Sequence, residues 1–257
     1  MTNAGVSSPL MKNSEAFLNA FNRIEKQLRR TAHARPWIPF AQRVSRASRD
    51  LPEVRRLRED LKEFADLRNA IVHDRMHDEV IAEPNTWAVE RIAMIADLLT
   101  TPPSVIPLFA KKVFTVSADY SLADAVKLMK KHEFSKLPVL DRQKNYAGLM
   151  TANAVTRWLG ENADAGPIDL HGVKVEDVVR YAEDGESVIF IGPEATVFEV
   201  FEHFHRVESR GQSLEAVIIT ERGIRSGHIL GLITVSDLPR ILPLVEGVAP
   251  ASHNEAS

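Results

Sequence analysis

The chain of 257 residues contains no cysteine, which excludes disulfides, thiolate metal sites and a cysteine nucleophile. It has no apolar run near the roughly 18 residues that a membrane span requires, and residues 1–10 lack the charged-then-apolar order of a signal peptide. No glycine-rich phosphate loop, GxSxG elbow or HExxH motif supports a kinase, a serine hydrolase or a zinc protease. We therefore expect a cytoplasmic protein that carries none of these catalytic motifs.

The chain does contain an internal repeat. Residues 146–155 have the sequence YAGLMTANAV and residues 229–238 have the sequence ILGLITVSDL. The matching positions are Gly148 and Gly231, Leu149 and Leu232, Thr151 and Thr234, and the more distant Arg157 and Arg240. In each copy the apolar run predicts a strand and the threonine predicts the start of a helix. A helix N-terminus at the end of a strand exposes backbone N–H groups, which suit an anionic ligand.

The sequence before each phrase repeats as well, in the order strand, helix, strand, strand, helix. In the first copy we predict a strand at 113–116, a helix at 121–132 and a strand at 137–140. In the second copy the matching segments are 188–191, 197–205, 216–220 and 229–234, with a longer polar loop at 221–227. Five elements that recur in one order predict a paired module of mixed helix and strand.

This pattern resembles the CBS domain, named after cystathionine beta-synthase, over residues 111–244. The resemblance implies a regulatory module that binds an adenosine-containing ligand, such as AMP, ADP, ATP, S-adenosylmethionine or a cyclic dinucleotide, between its two motifs. In the family the threonine of the motif contacts phosphate and the aspartate contacts the ribose hydroxyls, which carries over to Thr234 and Asp237. Ser236 belongs to the same motif, and Arg240 is a further candidate phosphate partner.

The first copy departs from this pattern because Ala154 stands where the second copy has Asp237. Alanine cannot accept from a ribose, so we expect the first site to be empty or to depend on Asn153 and a different ligand geometry. The second copy also has a purely structural interpretation, in which Thr234 caps the helix and Asp237 complements its dipole. Arg240 could likewise form only an exposed salt bridge.

The N-terminal part has a helical pattern from about residue 14 to residue 99. Phe17, Phe21, Ile24 and Leu28 have near-helical spacing, and residues 36–39 (PWIP) interrupt the pattern. We predict a second helical block at 53–77 and a third helix after residues 83–85. The predicted boundaries are an all-helical domain at 14–100, a linker at 101–110 and a paired module at 111–245, with motifs at 111–160 and 186–245.

The net charge of −3 is distributed unevenly. Residues 12–75 contain 15 lysines and arginines against 9 aspartates and glutamates, which leaves the remainder of the chain acidic. A basic segment allows an RNA partner, because phosphate contacts supply much of the affinity for nucleic acids. Since arginine and glutamate alternate along it, solvated helix faces explain the charge equally simply.

The second helical block contains the phrase RNAIVH, in which Arg68, Asn69 and His73 form an RNxxxH motif. This phrase in a small basic helical domain resembles the HEPN family (higher eukaryotes and prokaryotes nucleotide-binding). In catalytic members of that family the arginine and histidine cleave RNA without a metal, at a groove between two subunits. The alternatives are a packing role and a nucleotide-binding or interaction role.

These observations predict a mixed α/β chain with an N-terminal HEPN-like helical domain followed by a tandem CBS-motif module. The predicted function is regulatory: an adenine nucleotide binds the module, no metal is required, and the helical domain responds. We also expect a homodimer. The alternative functions are a nucleotide-gated, metal-independent endoribonuclease and an interaction module without a ligand.

Overall fold

The computed structural model describes residues 12–31, 37–73, 75–76, 79–80, 82–182 and 186–247. They form two compact units. The helical unit comprises the chain up to Pro103, residues Thr196–Glu199 and the segment from Arg240 onwards, and the repeat unit comprises Ser104–Ala195 and Val200–Pro239. The predicted fold class is confirmed, and none of the described helices is long and apolar enough to cross a membrane.

The described chain before Pro103 is mainly helical. Its helices are α1 (Asn13–Thr31), α2 (Phe40–Asp50), α3 (Pro52–Arg56), α4 (Arg58–His73) and α5 (Thr86–Thr100). Two short strands between α4 and α5, β1 (Arg75–Met76) and β2 (Glu79–Val80), pair antiparallel. Helix α5 begins where the sequence predicts, because the Asn85 side chain accepts a hydrogen bond from the Ala88 N–H at 2.9 Å.

Helices α1 and α5 form the centre of the helical unit and run in the same direction. The four apolar residues predicted from helical spacing in α1 are all buried, and they face buried residues such as Ile92 and Ile95 of α5. Asn13 donates to the Pro84 carbonyl at one end of the pair, and Arg23 meets Asp97 at 2.6 Å near the other.

The predicted helical block at 53–77 is wrong in its bounds. Helix α2 ends before Leu51, whose backbone is extended. A proline disfavours helical backbone at the residue before it, and Pro52 is instead the first residue of α3. Buried Leu57 separates α3 from α4. Helix α4 ends at His73, since Arg75–Met76 adopts the extended conformation that pairs with Glu79–Val80. Helix α2 was not among the elements predicted from the sequence.

The two copies of the repeat have the same topology. The first contains α6 (Val105–Leu108), β3 (Val116–Ser117), α7 (Leu122–His132), β4 (Lys136–Leu140), β5 (Tyr146–Thr151) and α8 (Ala152–Glu161). The second contains α9 (Val175–Val179), β6 (Glu186–Ile191), α10 (Val197–Glu208), β7 (Ser213–Thr220), β8 (Ile229–Ile233) and α11 (Leu238–Glu246). In each three-stranded sheet the first strand runs parallel to the second and the third runs antiparallel to it.

One predicted strand of the first copy is shorter and later than expected. The pattern predicts a strand at 113–116, whereas β3 comprises only Val116–Ser117. The preceding residues 111–114 instead line a cleft between the two copies. The other predicted strands and helices of the repeat lie within one to three residues of their predicted bounds.

The two copies pack against each other through apolar residues of their sheets. Tyr146 and Leu149 of β5 form one buried cluster with Ala216 and Ile218 of β7. Burial of the hydroxyl raises the pKa of Tyr146 to about 12, although the nearby Arg225 acts in the opposite direction. The phenol therefore stays neutral, and the cluster carries no buried charge at neutral pH.

Gly148 and Gly231 occupy the same place in the two copies of the repeat. Each glycine lies against the short first helix of the other copy or the residue that follows that helix. A Cβ on Gly231 would lie 2.6 Å from the carbonyl oxygen of Phe109, which comes directly after α6. A Cβ on Gly148 would lie 2.3 Å from a methyl carbon of Val179, the last residue of α9. Because α6 is the first helix of the first copy and α9 is the first helix of the second, the two copies interlock.

This interlocking predicts that Gly231→Ala destabilises the protein by about 1–3 kcal/mol, the usual cost of overpacking. The clashing atom is a backbone carbonyl, which cannot rotate away. Gly160→Ala is the matched control, because a Cβ there meets no atom within 4 Å and the residue lies in α8. We expect that change to leave stability equal or to raise it by up to about 1 kcal/mol. Urea denaturation followed by circular dichroism measures both, and a neutral Gly231→Ala would contradict the close approach.

Candidate functional site

The second copy places Thr234 and Asp237 at the start of α11. A short 3-10 turn, Val235–Asp237, precedes the helix. The Asp237 Oδ2 atom accepts hydrogen bonds from the Thr234 backbone N–H at 2.9 Å and from the Thr234 hydroxyl at 3.2 Å. The structural interpretation of this pair, a helix cap, is therefore present, and a ligand role for Asp237 has to be compatible with it.

A cleft of about 280 Å³ opens beside this turn, between the two copies of the repeat. Residues 111–114 and 133–138 of the first copy form one wall. The second copy contributes Leu232, Thr234, Ser236 and Asp237. The cleft has a volume near the lower end of the range of about 300–1,000 Å³ found for small-molecule sites. Three of the four predicted binding residues thus line one cleft, and Arg240 comes next in α11 with an exposed side chain.

Charged residues of both signs line this cleft. They are Lys111, Lys112, Lys136, Glu133 and Asp237. The Lys111 Nζ atom lies 4.0 Å from the Asp237 Oδ1 atom. Ammonium groups bind phosphate oxygens well, so Lys111 and Lys112 suit an anionic group beside Asp237.

Lys136 is held in place by Glu215 of the second copy. Its Nζ atom lies 2.8 Å from a Glu215 carboxylate oxygen and also donates to the Glu215 backbone carbonyl at 2.8 Å. Burial alone would raise the pKa of Glu215, but hydrogen bonds from Lys136 and Ser213 outweigh it and the pKa lies below its ordinary value. Glu215 is therefore ionised at neutral pH, which fixes Lys136 at the boundary of the cleft.

Two aromatic rings also line the cleft. The ring centroids of Phe114 and Phe134 lie 5.4 Å apart, and His132 packs against both rings. Lys112 lies over Phe114, with its Nζ atom 5.7 Å from the ring centroid. Partly exposed aromatic faces bind planar heterocycles by stacking. These rings and the three lysines were not predicted, because nothing in the sequence shows that their segments face Thr234 and Asp237.

A second cleft, of about 530 Å³, lies beside Thr151 of the first copy, is lined by residues of both copies and has a different chemistry. Thr151 caps α8 directly, since its hydroxyl accepts from the Ala154 N–H at 3.0 Å. Ala154 is fully buried in the apolar core of the first copy, so a carboxylate at this position would be buried without a partner. Lys136 lines this cleft beside Glu208 and Glu215, so acidic residues outnumber basic ones.

The residues of the RNxxxH phrase lie near the end of α4 in the helical unit. The Arg68 Nη1 atom donates to the Asn69 side-chain oxygen at 3.3 Å, and Asn69 is exposed. His73 is the last residue of α4, and its side chain lies outside the described part of the chain. The structure thus shows a hydrogen bond between Arg68 and Asn69. That Arg68 and His73 act together on RNA stays a prediction.

Comparison with known proteins identifies the family of the repeat. The family model described as "CBS domain" matches residues 95–161 and 175–243, which together make up just over half of the chain. This chain belongs to the CBS-domain family. No curated protein matches the chain in sequence.

Several solved structures are similar to part of this chain. The CBS domain pair of protein MJ0100, in complex with 5'-methylthioadenosine and S-adenosyl-L-methionine, is 18% identical, with a TM-score of 0.41, and the match covers 55% of this chain and 96% of that one. A putative signal-transduction protein with CBS domains from Burkholderia ambifaria is 20% identical, with a TM-score of 0.39 and coverages of 52% and 84%. The CBS domain of a membrane protein from Sphaerobacter thermophilus is 19% identical, with a TM-score of 0.41 and coverages of 56% and 90%.

Proposed function

We propose that this protein is a regulatory sensor that binds one adenine nucleotide per chain in the cleft beside Thr234 and Asp237. The observation that carries the proposal is the chemistry of that cleft, which is lined by the carboxylate of Asp237, by Lys111 and Lys112 and by two aromatic rings. Each group suits one part of a nucleotide. In the assignment taken over from the CBS family, Asp237 accepts hydrogen bonds from the ribose hydroxyls and Thr234 donates to a phosphate.

The lysines of the cleft favour nucleotides that carry phosphate. Lys111 and Lys112 can pair with a di- or triphosphate. S-adenosylmethionine carries a sulfonium, an ammonium and a carboxylate group, so it has no phosphate and a net positive charge, which these lysines would repel. We therefore propose ATP or ADP as ligands before AMP, and AMP before S-adenosylmethionine. Phe114 and Phe134 would stack on the adenine ring.

The response of the helical unit and a homodimeric state complete the proposal. Leu159 of α8 is exposed. A second copy of the chain could cover such an apolar side chain in a symmetric dimer. RNA binding by the basic helical unit remains a further prediction.

The nucleotide proposal predicts that Asp237→Ala raises the dissociation constant for ATP about tenfold to hundredfold. Loss of an acceptor for two hydroxyls corresponds to about 1.5–3 kcal/mol. Isothermal titration calorimetry with ATP, ADP, AMP, S-adenosylmethionine and a cyclic dinucleotide measures the affinities and their order.

Asp177→Ala is the matched control for this experiment. The Asp177 carboxylate accepts from the Lys174 N–H at the start of α9, so the same change removes a similar cap away from the cleft. We expect its ATP affinity to equal that of the wild type. Absence of binding by any adenosine ligand at millimolar concentration would contradict the sensor proposal. Binding unaffected by Asp237→Ala would assign the ligand to the cleft of the first copy.

The ribonuclease alternative makes a separate prediction. An enzyme that uses Arg68 and His73 would cleave single-stranded RNA in the presence of a chelator, because no metal takes part. We expect the purified protein to leave the RNA intact. Cleavage that falls at least about a hundredfold in His73→Ala, with folding confirmed by circular dichroism, would contradict this expectation and show an enzyme.

A further inference from the structure

Lys136 lies where the two clefts of the repeat unit adjoin. It is the first residue of β4 and, with the preceding Ser135, lines both the second cleft and the nucleotide cleft, which is the cleft beside Thr234 and Asp237. Its side chain is only 16% exposed. A charge in this place acts on a ligand in either cleft, unless a group of opposite sign lies against it.

Glu215 of β7 supplies that opposite charge. Its carboxylate lies 2.8 Å from the Lys136 Nζ atom, and a second hydrogen bond, from the Ser213 hydroxyl at 2.8 Å, holds it in place. Burial acts to raise the pKa of Glu215, but the hydrogen bonds from Lys136 and Ser213 outweigh it, so the carboxyl group is ionised at neutral pH. The pair therefore presents little net charge to a ligand.

The other charges in the wall of the nucleotide cleft are balanced. They belong to two lysines and two acidic residues, Lys111, Lys112, Glu133 and Asp237. Among the described residues, Glu215 lines the second cleft and not this one, so it neutralises Lys136 from outside the wall. Loss of the Glu215 charge alone would turn a balanced cleft into a positive one.

We propose that Glu215 limits the preference of the nucleotide cleft for ligands with several phosphates, as a positioning residue that acts through Lys136. The inference rests on the proposed function, because it concerns the same cleft and the same ligands. A phosphate chain meets the charges of Lys111 and Lys112, whereas the ammonium of Lys136 attracts it little while Glu215 lies against it. ATP, ADP and AMP therefore differ less in affinity than they would beside three unpaired lysines.

A purely structural role for the pair has a different signature. Lys136 belongs to the first copy and Glu215 to the second, so the pair also joins the two copies. Loss of such a contact would weaken the binding of every ligand alike. A charge effect instead changes the affinity for ATP and leaves that for adenosine, which carries no phosphate. The ratio of these two dissociation constants separates the two roles.

Glu215→Gln tests the proposal in the full-length protein. The change removes the charge and keeps an amide oxygen that can accept from Lys136 and Ser213. We expect the dissociation constant of ATP to fall about threefold to tenfold and that of adenosine to stay within about twofold of the wild type, as one added, partly screened charge predicts. Isothermal titration calorimetry at low ionic strength measures both constants.

Lys136→Met should shift the ratio in the opposite direction, because it leaves the Glu215 carboxylate without its partner. ATP then binds more weakly relative to adenosine. The double variant Lys136→Met with Glu215→Gln has no charge at either position, so its ratio should return towards the wild-type value. Circular dichroism checks the folding of each variant. If Lys136→Met does not fold, the comparison of Glu215→Gln with its control decides alone.

Glu176→Gln is the matched control. Glu176 lies 3.6 Å from the Lys174 ammonium, both side chains are about half exposed, and neither is among the described residues that line the two clefts. Its ratio should equal that of the wild type. If Glu215→Gln matches this control, or if both single variants shift the ratio in the same direction, the role of Glu215 is wrong while the sensor proposal stands. If the wild type binds neither ATP nor adenosine at millimolar concentration, the sensor proposal fails and this inference fails with it.

Discussion

The interlocking of the two copies is the constraint on which the candidate site depends. Gly231 of the second copy lies against the backbone after α6, and Gly148 of the first copy lies against the side chain at the end of α9. Each contact needs a position without a Cβ, which explains why glycine stands at the same place in both copies. Because the copies are fixed to each other in this way, residues 111–114 and 133–138 of one copy can face Thr234 and Asp237 of the other.

The two clefts show how one repeat can acquire two chemistries. A single difference, Asp237 in place of Ala154, coincides with a change in the start of the next helix. In the first copy the α-helix begins at once and carries position 154 into the apolar core. In the second copy a 3-10 turn keeps the side chain of Asp237 at the cleft. The carboxylate that caps that turn thus also lines the cleft.

The sequence predicts the repeat well because hydrophobic periodicity and matching phrases are local signals. Thr234 and Asp237 are recognisable for the same reason. The lysines and the aromatic rings of the cleft, such as Lys136 and Phe134, are not, because their role depends on contacts between segments about a hundred residues apart. The bounds of α4 were also missed, since Leu57 and the extended pair after His73 interrupt a periodicity that continues through them.

A crystal structure of the protein grown with saturating ATP tests the sensor proposal most directly. We predict density for one nucleotide in the cleft between residues 111–114 and Thr234–Asp237. Its ribose hydroxyls should lie within hydrogen-bond distance of Asp237 and its phosphates near Lys111. Nucleotide density only in the cleft beside Thr151 and Asn153, or no density in either cleft, would contradict the proposal.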